Sequence, residues 1–107
     1  RWVVFVPAGM VLHDPASLAD PVLFRRQAIT ALGPARAGSS ALDLTQSALG
    51  LVLELALVDP VPLVLTGPRR SRTGQATSAE RLLFTPARPG RVLAEAAARR
   101  IAGTVRG

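Results

Sequence analysis

The chain has 107 residues, enough for one domain and too few for two comfortable ones. Hydrophobic residues make up 49% and charged residues 19%, so it can build a core and lacks the composition of a disordered tail. The net charge of +6 favours anionic partners, and the absence of cysteine excludes disulfides, zinc–thiolate sites and thiol catalysis.

That charge is unevenly spread. Residues 1–60 hold four Arg against five acidic residues, which leaves −1; residues 61–107 hold nine Arg against Glu80 and Glu95, which leaves +7. All thirteen basic residues are Arg, and Lys, Asn and Tyr are missing as well. A GC-rich genome explains that bias. Selection for bidentate contacts to phosphate or carboxylate is the functional explanation of the same count. Codon bias does not account for the partition between the two halves.

From the N-terminus, Trp2 to Val6 is β-branched and aromatic and reads as a strand. Pro7-Ala8-Gly9 reads as a turn, with a second short strand over Met10 to Leu12. Asp20 as N-cap and Pro21 at the first helical position predict a helix running to Leu32. Phe24, Ala28 and Leu32 would form its buried stripe, and Gly33-Pro34 would stop it. Asp43 opens a second predicted helix to Val58, with Gln46 three residues on as in a capping box. Its polar positions form one narrow stripe, so it would be mostly buried.

Pro62 to Thr66 reads as a short buried strand, followed by a polar basic loop from Gly67 to Ser78. Arg81 to Phe84 fits a strand or one helical turn. Arg91 to Ala102 predicts a third helix, with Val92, Leu93, Ala96, Ala97 and Ile101 inward, Gly103 as its stop, and Glu95 placed to pair with Arg91 or Arg99. The elements add up to a small single α/β domain over residues 1–107, basic in 61–107, in which a short sheet carries about three packed helices.

Few motifs commit the chain to a chemistry. Strand, Gly67, then Arg and Ser/Thr is the order of a phosphate loop, but Gly67 and Gly74 are seven apart and Gln75 stands where the P-loop lysine belongs. His13, the one histidine, has no second imidazole for a metal site and reads as a surface turn residue. Ser39, His13 and Asp43 have no nucleophile elbow behind them, and the acids are spread over caps and turns. The expectation is therefore a protein that is not an enzyme, with no cofactor, no metal and no evident small-molecule substrate. Acidic residues and prolines interrupt the most apolar stretch, so no membrane span is expected either. No secretory signal is read, which gives an intracellular expectation: mitochondrial in a eukaryote, otherwise cytoplasmic.

The stretch from Ala41 to Arg70, with its predicted helix, proline-containing turn and apolar strand ending at Leu65-Thr66-Gly67, resembles part of the Mth938-like family, which includes a mitochondrial complex I assembly factor. Leu93 to Val105 resembles the helix-to-strand segment that follows there. The resemblance implies a non-catalytic protein acting by contact within a larger assembly.

The first expectation for function is thus an accessory or assembly subunit that docks in a larger complex through an arginine-rich surface. The alternative is RNA binding to the phosphate backbone, as in an accessory protein of a ribonucleoprotein such as a ribosome. Either way the candidate contact residues are Arg69, Arg70, Arg72, Arg91, Arg99 and Arg100. Backbone docking needs only such a positive spot, whereas base reading would call for aromatic platforms that the loop lacks.

Overall fold

The computed structural model describes residues 1–45, 49–66 and 74–101. Its strands are β1 (Trp2–Val6), β2 (Gly9–His13), β3 (Val22–Arg25), β4 (Ile29–Pro34), β5 (Leu42–Asp43), β6 (Leu53–Leu65) and β7 (Gln75–Phe84), followed by one helix, α1 (Pro89–Ala98). The strands form two sheets, β1-β2-β3 and β4-β6-β7-β5. All pairings are antiparallel except the short parallel contact of β5 with β7. This corrects the expected α/β domain with about three helices: the described residues are mostly sheet with a single short helix.

In the first sheet, Pro7-Ala8 turns β1 into β2, and Val4, Val11 and Leu23 fall in one row across the three strands. Strand alternation sends Met10, Leu12 and Phe24 to the inner face, where all are fully buried. It sends Trp2, Val4 and Leu23 outward. Gly9 is the residue this geometry needs. It has φ +155, and a Cβ there would run into the backbone of Phe24 and lie 2.8 Å from the Arg26 nitrogen.

The first predicted helix, Pro21 to Leu32, is in fact β3, a corner and β4. At the corner Arg26 N–H donates to the Ala8 carbonyl and Ala28 N–H to that of Arg25, both at 2.9 Å. Phe24 and Leu32 are buried as expected, but on strands of different sheets rather than on one helical stripe. The second predicted helix, Asp43 to Val58, is also absent among the described residues, where β5 ends at Asp43 and β6 begins at Leu53. Asp43 does accept from the Thr45 N–H at 2.8 Å, so the local capping bond forms without a helix behind it.

Within β6, Leu53 to Leu57 are all buried, because β4 and β7 flank them and the outer face is covered as well. A register shift follows between Ala56 and Val61, and Pro60 falls inside it. Pro62 lies where β4 no longer pairs, which is where a strand tolerates a residue with no N–H. The short strand expected over Pro62 to Thr66 is thus the end of a longer one, and Arg81 to Phe84 is the end of β7. The inner faces of both sheets share one core, to which α1 adds Val92 and Ala96, with Ile101 just beyond it. Each fully buried Leu or Phe of that core contributes about 2 kcal/mol relative to exposure. No described helix is long and apolar enough to cross a membrane.

Candidate docking groove

Pro89 starts α1, two residues before the predicted start. The helix also ends early. Arg100 N–H donates to the Ala97 carbonyl at 3.1 Å and Ile101 N–H to that of Ala96 at 2.8 Å, with Arg100 at φ +56. Two such bonds around a left-handed residue form a Schellman stop, and buried Ile101 supplies its apolar contact. The expected stop, Gly103, lies outside the described residues. Ala97, expected inward, is exposed.

The N-terminal side has an unusual cap. Arg88 occupies it at φ 54 and ψ 59, with no side-chain capping bond, and the first turn holds no acidic residue. Among the described residues Arg88 and Arg100 are the non-glycine residues with positive φ. The left-handed conformation costs a residue with a Cβ about 1–2 kcal/mol. Both instances flank one helix, and both are arginine.

Between α1 and β1 runs a groove of about 800 Å³. Val3, Phe5 and half-exposed Trp2 form one wall. Arg88, Arg91, Ala94 and Ala98 form the other, at helical spacing. The small Ala side chains keep it open. Trp2 is held at the rim by stacking on His13, with ring centroids 4.2 Å apart. His13 is thus half-buried at the end of β2, not a surface turn residue.

At one end Ala87 N–H donates to the Arg1 carbonyl at 2.9 Å. Backbone groups alternate sides along a strand, so the N–H and C=O of Val3 and Phe5 face the same way as that carbonyl, away from β2. No described strand pairs with this edge. At the other end the Arg99 guanidinium lies 5.5 Å from the Phe5 ring centroid.

The expected contact residues separate in space. Arg69, Arg70 and Arg72 lie outside the described residues. Arg91 sits in the first turn of α1 and lines the groove beside Arg88, which the sequence reading passed over. Arg99 is engaged with Glu95 at 2.6 Å, and its carbonyl accepts from Arg26 Nη2 at 2.6 Å. Arg100 is exposed. Among the described residues neither Arg88 nor Arg91 has an acidic partner. One signal for Arg88 was present in sequence: a residue before proline avoids the right-handed helical region, which places the helix start at Pro89.

Other charges are committed to the fold. Glu54, fully buried on β6, meets Arg81 at 2.8 Å and Arg36 at 3.2 Å, and also accepts from the Arg36 backbone N–H at 3.2 Å. Burial alone would raise its pKa. The bonds from the Arg36 backbone and the two guanidinium groups outweigh that and hold it below the ordinary value. Buried Asp14 is held by Arg1 Nε at 3.2 Å and by the Ser17 hydroxyl at 2.9 Å. Ser39, His13 and Asp43 form no hydrogen-bonded chain: Ser39 accepts from the Ala41 N–H, and Asp43 serves Thr45. No protein family, curated protein or solved structure matches the chain.

Proposed function

We propose that the chain is a non-catalytic docking subunit that seats an acidic protein partner against α1 and β1, as an accessory or assembly component of a larger complex. The supporting observation is the groove itself. It combines an open strand edge, an apolar floor of Val3, Phe5 and Val92, and two arginines with no acidic partner among the described residues. Unpaired guanidinium groups beside an apolar floor favour a carboxylate-bearing peptide surface over a nucleic-acid backbone, which has no use for the apolar part. The strained backbone at Arg88 supports the same reading, because residues held in a sparsely populated conformation cluster at ligand-binding sites. The reading rests on the groove alone, because the Asp43-to-Val58 helix within the stretch that resembles the Mth938-like family is absent among the described residues.

The test is co-purification from a native source with wild-type chain and with Arg88→Ala/Arg91→Ala. The expected result is a protein partner retained by wild type and lost by the variant, with salt weakening the contact. Retention of the same partner by the variant would remove the groove from the docking surface. Recovery of RNA alone would favour the phosphate-docking alternative.

A further inference from the structure

Resting on that docking reading, we infer that the groove takes its partner as an extended peptide of four to five residues, acidic at one end, which adds to β1 as an extra strand. Length comes from geometry. Helix α1 has 10 residues and is about 15 Å long at 1.5 Å per residue. The Ala87–Arg1 bond closes one end, and Arg99 over Phe5 closes the other. An extended chain rises about 3.3 Å per residue, so four to five residues fill the span.

Direction of recognition comes from the edge and the charges. The peptide groups of Val3 and Phe5 offer a row of donors and acceptors that only an extended backbone satisfies in register. Alternate peptide side chains would then lie over Phe5 and Val92, where β-branched residues fit best. Charge is polarised along the groove. Arg88 and Arg91 sit at the N-terminal end of α1, where the helix dipole also favours an anion. The other end holds Glu95, already paired with Arg99. One or two carboxylates at the Arg88 end, with apolar residues following, match this layout.

The experiment is selection from a displayed library of random heptapeptides on the full chain, followed by affinity measurement with synthetic copies of the enriched sequences. Enriched peptides should carry Asp or Glu next to alternating β-branched residues. Binding should slow hydrogen exchange at the Val3 and Phe5 amides, and a central proline in the peptide should abolish it. Ala94→Trp fills the groove from an exposed position without removing a charge, and should weaken binding by about tenfold or more. Ala98→Trp serves where circular dichroism shows Ala94→Trp misfolded.

No enrichment over background overturns the strand-addition proposal. So does enrichment of peptides whose affinity both Trp variants leave unchanged, or binding of single-stranded RNA in their place. The two readings remain separable. If Arg88→Ala/Arg91→Ala loses the native partner while the Trp variants keep it, docking stands and strand addition falls. If the native partner is indifferent to all of them, both fall.

Discussion

Two pairs of arginines in this chain do opposite work. Arg36 and Arg81 converge on one fully buried carboxylate, Glu54, on the outer face of the second sheet. Arg88 and Arg91 stand at the mouth of a groove with no acidic partner among the described residues. The first pair is consumed by the fold, and the second has no ion pair among the described residues. A count of basic residues does not separate them; the pairing does. The +7 of the second half is therefore not one surface. Arg81 and Arg99 are already engaged within it.

The comparison breaks or sharpens first at Glu54. Glu54→Leu leaves two guanidinium groups and the Arg36 N–H without their acceptor, and should cost about 3 kcal/mol in urea unfolding. Both arginines are partly exposed and can turn to water, which keeps the cost at the low end for a buried charge network. Arg88→Ala/Arg91→Ala should cost nothing measurable in the same assay. Equal losses would mean that both pairs are structural.

The second-largest effect is one of pH. The Glu54 pKa is lowered in the folded state from an ordinary value of 4.5. A depressed folded pKa gives stability that is fully present above the ordinary value and is lost as pH falls toward and through the folded one, because the unfolded chain takes up the proton first. Wild type should therefore lose stability on acidification below about pH 4.5 more steeply than Glu54→Gln, which has no proton to bind there. Parallel curves would assign the acid sensitivity to other carboxylates.

The same contrast explains what the sequence made legible. β1 and β2 were readable because Trp2 to Val6 is β-branched and a turn follows. The helix at α1 was readable because Ala dominates it and its apolar positions recur at helical spacing. Residues 21–32 and the described part of 43–58 depart from the expected helices for one reason. Their Leu and Ala residues favour helix locally, and their caps are good ones, but burial between two sheets decided the outcome. Leu53 to Leu57 is buried on both faces, so no alternation survives to mark it as strand. The groove was half legible. Arg91 was named, but Trp2 and Phe5 lie more than 80 residues from it in sequence, and only the fold brings them together.

Arg100 gives a third, smaller effect with the opposite sign. It holds the left-handed position of the Schellman stop at φ +56, where glycine is the unstrained residue. Arg100→Gly should raise stability by about 1 kcal/mol in thermal unfolding, less the entropy that glycine adds to the unfolded chain. A loss instead would show that the Arg100 side chain contributes to the fold and belongs with Arg36 and Arg81.

The smallest effect is the most diagnostic. Arg91 is a cation in the first turn of α1, at the positive end of the helix dipole, with no acidic residue beside it in that turn. Ala has the better intrinsic propensity and carries no unfavourable charge there. Arg91→Ala should therefore stabilise the chain slightly, by about 0.3–0.5 kcal/mol at low salt, and the gain should shrink as salt screens the dipole. Urea titration at two salt concentrations measures it. A residue that the fold would do better without, placed at the rim of a groove it lines, is what the docking proposal expects there. If Arg91→Ala destabilises instead, that expectation fails, and Arg91 becomes one more arginine that the fold has used.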